Sequence, residues 1–477
     1  MVNVLMSLFF LLPVGLLNYT IYKGIRKWRS PFKLIGFIIQ SIFLLAVLVL
    51  FYGFVVTQPD DRGMFIIIVT SAIVSIIYSI NSVELISRRW PKPWNWIVPV
   101  LFALTVMGLF FYFFLTSRRW GELRENNPDL LDFVIGGFFT LMATCCVIAI
   151  FQIVQDAAWF AKVLPKMVRK EDIGGAYMNR KTFISKLGLI AGGAVLGSFM
   201  YGLTRGKFGF RIIEKELFFS NLPEAFDGTT IVQISDLHLG SFNFNFEPLI
   251  EAVKIINDLT PDYICFTGDL VNTYHTEADA WVSVFQDLKA NHGKFSILGN
   301  HDYGYYGDTS DAEQEKCREG VIAVNKEMGY DVLINEHRIL EKDGQKMAIL
   351  GVENWGESKW FPKRGDIAKA KENLPKDVSF KLLLSHDPTH WDAHIQGKET
   401  DIDLTLSGHT HGAQMGLTIP GVLEISPAAL MFKRWAGLYT EGSQKLYINR
   451  GMGYLMIPGR VGMPPEITRI TLRRGSA

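Results

Sequence analysis

Apolar residues form long unbroken runs in the first third of the chain and short ones after it. The long runs lie at about 4–22, 34–56, 64–86, 95–116 and 133–155, each near the ~20 residues that carry a helix across a bilayer. A shorter, glycine-rich run at 187–203 predicts a sixth crossing, with a buried helix of the following domain as the alternative. Beyond Lys207 the period changes. Residues 229–235, 263–267, 294–298, 380–384 and 403–406 predict buried strands, whereas 248–259, 278–290 and 311–328 carry helical spacing. Strands alternating with helices predict a layered α/β domain. The expected division is a five-span membrane domain over 1–165, a basic linker with the short sixth segment over 166–207, and an α/β domain over 208–477.

Charge adds an orientation. Lys23, Arg26, Lys27, Arg29 and Lys33 crowd the first loop, Arg88, Arg89 and Lys92 the third, and Lys162, Lys166, Arg169, Lys170, Arg180, Lys181 and Lys186 the fifth. The second loop is acidic and the fourth mixed. Basic loops stay in the cytoplasm, so the N-terminus is expected outside, and six crossings put the α/β domain outside too. If the sixth run does not cross, that domain stays inside. Residues 179–184, Asn-Arg-Lys-Thr-Phe-Ile, resemble a twin-arginine export signal, although a plain basic flank explains them better. Glu84, Gln152 and Asp156 near span ends read as side chains reaching toward headgroups. The net charge of +1 shows no basic excess, so nucleic acid is not an expected partner. The four cysteines form no disulfide framework, and none sits beside the candidate ligands, which disfavours a thiolate zinc site.

Chemistry concentrates in five short motifs: Asp236-Leu237-His238, Gly268-Asp269, Gly299-Asn300-His301-Asp302, Ser385-His386 and Gly408-His409-Thr410-His411. Each follows an expected strand, where α/β folds gather ligands. Aspartate, asparagine and histidine supply hard oxygen and imidazole donors suited to Mn, Fe or Zn. So many donors fit two ions that share a carboxylate, a geometry suited to hydrolysing phosphate esters. Taken singly, Asp-Leu-His is an ordinary surface or packing stretch, Gly-Asp and Gly-Asn-His-Asp are turns, and only Gly-His-Thr-His is moderately specific; their order at strand ends is the signal. His275, His292, His337, His390 and His394 lie outside the motifs and read as surface or structural residues.

In that order the motifs resemble the calcineurin-like metallophosphoesterase superfamily, over roughly residues 215–470. Details such as Gln233 to Gly240, Gly408 to Gln414, Asn449-Arg450-Gly451 and Pro465 to Thr468 resemble its membrane-associated bacterial branch, which includes phosphodiesterases and UDP-2,3-diacylglucosamine pyrophosphatases. Ala413 stands where that branch usually has a second glycine. The resemblance implies a four-layer α/β/β/α sandwich, joined here to an α-helical transmembrane domain. It implies two divalent ions, Mn first with Fe or Zn as alternatives. Asp236, His238 and His411 would hold one ion, Asn300, His386 and His409 the other, and Asp269 would bridge them. His301 would protonate the leaving oxygen, and Asp302 would orient His301. It also implies a bacterial inner-membrane protein, whose catalytic domain the loop charges and six crossings would put on the periplasmic or extracellular side.

The phosphoprotein branch carries G-D-x-x-D-R, but this chain has Gly268-Asp269-Leu270-Val271-Asn272-Thr273. That departure points to diesters or pyrophosphates. Two aromatic and basic clusters, Trp355, Trp360, Phe361, Lys363 and Arg364, and Phe432 to Trp435, suit a membrane interface, with ordinary loop packing as the alternative. The bilayer and a phosphate-containing lipid or small molecule are therefore the expected partners. The alternatives are a phosphodiesterase for soluble nucleotides and a catalytically dead sensor or scaffold. The full set of ligands weighs against the second.

Overall fold

The computed structural model describes residues 62–168, 177–307, 309–359, 361–419 and 423–475. The expected spans at 4–22 and 34–56, the first loop, most of the second and residues 169–176 of the fifth lie outside the described residues.

The described residues of the first unit, which spans 1–198, are mostly helical, and its last helix continues into the second unit. Helices α1 (Arg62–Ser87), α2 (Trp94–Thr116), α4 (Pro128–Val168) and α5 (Tyr177–Thr204) take up the third to sixth apolar runs. Stretches Trp94–Thr116, Pro128–Ala158 and Thr182–Thr204 are long and apolar enough to cross a membrane. The sixth run therefore belongs to one continuous helix, and the export-like residues 179–184 form its first turns rather than a loop. The mixed fourth loop likewise winds a short helix, α3 (Trp120–Asn126). Ala72, Ile73 and Ile76 of α1, Val106 and Phe110 of α2, and Phe138, Met142 and Cys145 of α4 pack together. Gln152 does not reach for headgroups: it is buried, and its amide donates to Ser185 Oγ at 2.8 Å and to Ser82 Oγ, tying α1, α4 and α5. Inside an apolar bundle such a polar contact fixes helix rotation. Glu84 pairs instead with Arg88, at 2.8 Å.

The second unit is a sandwich of two six-stranded sheets. The first runs β1 (Arg211–Phe219), β14 (Glu466–Arg474), β2 (Thr230–Ile234), β3 (Tyr263–Phe266), β4 (Gly293–Ser296), β5 (Asp331–Val332). The second runs β12 (Gly437–Glu441), β13 (Gln444–Ile448), β9 (Leu404–Ser407), β8 (Phe380–Leu384), β7 (Gln345–Gly351), β6 (Glu336–Lys342). A small hairpin, β10 (Leu417–Ile419) with β11 (Leu423–Ile425), stands apart from both. Strands β2 to β5 are mutually parallel, as are β7, β8, β9 and β13.

Alternation of side chains sets the layers. Ile231, Tyr263, Cys265 and Phe295 meet Met347, Ile349, Leu382, Leu384, Leu404 and Leu406 between the sheets. Val232, Ile234, Ile264 and Phe266 face the other way, onto helices α6 (Glu247–Asp258), α7 (Val282–Gln286) and α8 (Asp311–Glu327). Ala348, Leu350, Leu383 and Ile448 cover the outer face of the second sheet, beneath Trp391, Ile395 and α9 (Ile367–Ala370). The order is helix, sheet, sheet, helix. Emptying the middle layer by Ile349→Ala should cost about 2–5 kcal/mol.

Helix α6 shows why these segments wind. Leu249, Ala252, Val253 and Ile256 form one buried stripe behind Pro248 in the first turn. Helix α8 starts on a capping box between Ser310 and Glu313. The helix expected over 278–290 is broken: it opens in a 3₁₀ turn, His275–Trp281, and continues only as the short α7. Glu277 there accepts from the amides of Asn272, Thr273 and Tyr274, which binds the segment's start to the preceding loop.

Candidate metal centre

Each motif leaves the carboxyl end of a parallel strand: Asp236 and His238 after β2, Asp269 after β3, Asn300 after β4, His386 after β8, His409 and His411 after β9. The two sheets bring these ends together. Turning sharply off a strand strains the backbone. Asp236, His238, Asp269, His409 and His411 all lie in the left-handed region, with φ between 46° and 72°. Side chains other than glycine adopt it at a cost of order 1–3 kcal/mol each, and it clusters where function demands a particular aim. Close approach also requires glycine nearby: a Cβ on Gly299 would collide with the Asp269 carboxylate, and one on Gly408 with Asp236.

Two donor groups result. In the first, Asp236, His238 and His411 offer ligand atoms within 4.8 Å of one another. His238 Nε2 lies 3.0 Å from His411 Nε2, which lies 3.3 Å from Asp236 Oδ1. In the second, Asp269, His386 and His409 do the same. Asn300 joins them: its Oδ1 lies 2.6 Å from His409 Nδ1 and 3.2 Å from His386 Nε2. Asp269 Oδ2 faces both groups, 3.6 Å from His238 Nε2 and 3.1 Å from His386 Nε2. The His409 amide donates to both Asp236 oxygens, at 3.0 and 3.1 Å, linking one group to the other.

The donor set fits divalent cations: buried imidazoles, carboxylates and one amide oxygen converge, without a thiolate. Supporting contacts aim them. His386 Nδ1 donates to the Thr267 carbonyl at 2.7 Å, which aims Nε2 inward as the ligand atom. Asn300 Nδ2 donates to Tyr306 Oη at 2.8 Å, which turns its oxygen toward the histidines.

Electrostatics follow from burial. Desolvation pushes His238 down to about 3 and lowers His409; it also drives His411 well down, with the neighbouring His238 adding to it. Burial would lower His386 too, but Asp269 and then Asp236 hold it up at about 10. Desolvation raises the Asp236 carboxyl, though His386 opposes the shift. For Asp269 burial acts upward, and His386 and His301 overcome it, leaving the carboxylate well below its usual range.

His301 sits beside both groups. Its amide donates to Asp269 Oδ1 at 2.8 Å, and its ring stacks on Tyr306 at 4.1 Å. Burial lowers its pKa. The ring is oriented by the Asn272 carbonyl, 2.7 Å from Nδ1, and not by Asp302 as expected from sequence. Asp302 points the other way, accepting from the amides of Asp269 (2.9 Å), Leu270 (2.8 Å), Val271 (3.3 Å) and Gly299 (2.8 Å). It shapes the ligand loops. Desolvation raises its pKa, as does Asp269.

Of the other histidines, His390 is buried against Ser385 Oγ at 2.8 Å, His337 bonds the Ala370 carbonyl at 2.8 Å, and neither joins a donor group. Arg450 is committed to Glu424 and Glu466. The aromatic and basic clusters divide. Arg434 is buried between Asp392 and Glu441, and Arg364 pairs with Glu315. Phe361 and Phe432 set their edges to His409 at 4.8 and 5.5 Å, flanking the second group. Sequence reading gave Tyr306, Thr267 and Arg460 no part in the site, and used Asn272 only as a departure from the phosphoprotein pattern. The Arg460 guanidinium lies 3.2 Å from His411 Nδ1 and donates to the Arg450 carbonyl at 2.9 Å.

Comparison with known proteins gives the family. The calcineurin-like phosphoesterase family matches residues 229–413. A second family, described as a probable calcineurin-like phosphoesterase transmembrane domain, matches residues 61–207. The metallophosphoesterase YkuE of Bacillus subtilis is 32% identical over 308 residues, which span 62% of this chain and 98% of that protein. A transmembrane protein with metallophosphoesterase domain from Danio rerio is 29% identical, over 58% of this chain and 60% of its own length. The Bos taurus protein of the same name is 25% identical over 390 residues, 80% of each chain.

Proposed function

Because the chain belongs to the calcineurin-like phosphoesterases, we propose that its two donor groups hold a pair of divalent ions and hydrolyse a phosphodiester or pyrophosphate, most naturally one carried by a membrane lipid. The chain is a membrane metallophosphoesterase, a hydrolase of phosphoric esters. The observation that supports the paired reading is Asp269 Oδ2 facing a histidine of each group, at 3.6 and 3.1 Å. Asp236, His238 and His411 would serve one ion, Asn300, His386 and His409 the other. When bound, such ions polarise a phosphoryl oxygen and lower the pKa of water.

The protein's own residues would do the rest. His301, with Nδ1 tied to the Asn272 carbonyl, presents Nε2 as the proton carrier for the leaving oxygen. Burial favours its neutral form, so a phosphate anion beside it would be needed to draw a proton onto the ring. Asp302 keeps the Asp269 and Gly299 loops in place rather than taking part in proton transfer. Phe361 and Phe432 would exclude water on the His409 side. Asn272 stands where phosphoprotein phosphatases carry an acid followed by arginine, which favours diesters and pyrophosphates as substrates.

The test uses the full chain, purified in detergent and loaded with Mn, against aryl phosphodiesters, nucleotides and lipid pyrophosphates. Metal-dependent hydrolysis that is lost in His409→Ala supports the reading. His301→Ala should be much slower with unchanged metal content; full turnover in that variant removes it from the mechanism.

A further inference from the structure

The hairpin β10–β11 is patterned inside out. Leu417 pairs with Ile425 and Ile419 with Leu423, so these four side chains share one face. That face is turned to solvent, each residue between 42% and 55% exposed. The polar pair Thr418 and Glu424 faces the protein instead. Glu424 meets Arg450, which also holds Glu466 at 2.5 Å, and Thr418 Oγ1 donates to the Gly462 carbonyl at 3.3 Å. A soluble hairpin buries its apolar face; this one secures its polar face by ion pairs and presents the other. Leu430, 91% exposed, and Met431 follow it, and Met456 protrudes from the loop that braces its root.

The position of that root indicates what covers it. The Gly416 amide donates to the Val461 carbonyl, and the Val461 amide to the Gln414 carbonyl, both at 2.8 Å. The next residue, Arg460, donates its amide to the Gly202 carbonyl at 3.1 Å. Gly202 is in the last turn of α5, within the stretch apolar enough to cross a membrane. Met200 and Tyr201 beside it are exposed, and Arg205 follows at once. The hairpin root is therefore clamped to the level at which the apolar helix ends. We propose that the outer face of β10–β11, with Leu430, Met431 and Met456, docks into the interface of the bilayer that α5 enters. Branched apolar side chains beside a cationic helix end suit that depth.

The hairpin is also inserted between His411 and Phe432, which edges His409. Docking would hold the donor groups at headgroup level and present them to lipid phosphates. That consequence rests on the hydrolytic reading; the docking itself does not.

The experiment reconstitutes the full chain in phosphatidylglycerol and phosphatidylethanolamine vesicles carrying nitroxide-labelled acyl chains. An environment-sensitive fluorophore is placed by Leu417→Cys, by Ile425→Cys, or, as control, by Lys376→Cys, an exposed site just before β8 at the strand ends away from the ligand loops. The native thiols of the described residues are buried or half-buried. Labels at 417 and 425 should emit further to the blue and be quenched several-fold more than at 376. Equal quenching at all three overturns the proposal, as does efficient disulfide linkage of two Leu417→Cys chains, which would make the face a contact between copies. Combining Leu417→Asp with Ile425→Asp should slow hydrolysis of a vesicle-embedded substrate about tenfold and leave a soluble aryl diester untouched; equal loss on both also counts against docking. If the unaltered chain hydrolyses neither substrate, the enzymatic reading fails while the depth measurement still decides this one.

Discussion

The two donor groups are built from similar residues and held in different ways. Asp236, His238 and His411 are buried, carry a formal charge, and are backed by the Arg460 guanidinium. Asn300, His386 and His409 contribute a neutral amide, lean on Tyr306 and the Thr267 carbonyl, and are edged by two phenylalanines. All three residues of the first group lie in the left-handed region; of Asn300, His386 and His409 only His409 does, and the other two are aimed by Tyr306 and the Thr267 carbonyl.

Asp269→Ala breaks the comparison altogether, because it removes the one oxygen facing both groups. Turnover should fall by about a thousandfold or more and both metals should leave, read as rate and as metal per chain by mass spectrometry. His411→Ala and His409→Ala should instead part the groups, each retaining close to one ion per chain; if either variant loses both, the groups are not independent. Tyr306→Phe sharpens the difference. It deletes the acceptor that turns Asn300, so affinity at the second group should weaken by about 10–100-fold while the first is unaffected. Titration at equilibrium with a metal-sensitive dye would show two steps moving apart.

The smallest effect is in pH. His386 keeps its proton up to about 10 in the metal-free site. A ligand nitrogen must give that proton up, so binding weakens as pH falls. Between pH 7 and 9 affinity at the second group should rise roughly tenfold per unit, with close to one proton released per ion. Histidines of the first group are pushed down by burial and are already neutral there, so that group should show a flatter dependence. Calorimetry in buffers of different ionisation enthalpy counts the protons; equal release at both groups would erase the distinction.

Much of this was legible in the chain. The apolar runs at 64–86, 95–116 and 133–155 became helices and 187–203 became the core of a longer one; the last three lie in stretches long and apolar enough to cross, which length and hydropathy alone decide. The motifs fell at strand ends because a short β-rich run followed by glycine or aspartate has few other ways to turn. Asp302 shows where such reading stops. Adjacent in sequence to His301, it was assigned to that ring, yet the left-handed turns send it to four amides and leave His301 to a carbonyl 29 residues away.

Sequence by itself therefore determined which atoms are available for chemistry and which segments are apolar enough for a bilayer, because both depend on residue type and local period. Only the tertiary structure decided which donor faces which, that Tyr306 turns Asn300, and that the β10–β11 hairpin shows its apolar face outward. Those outcomes depend on pairings between residues far apart along the chain, and a side-chain pattern of period two is the same whichever face the fold turns inward.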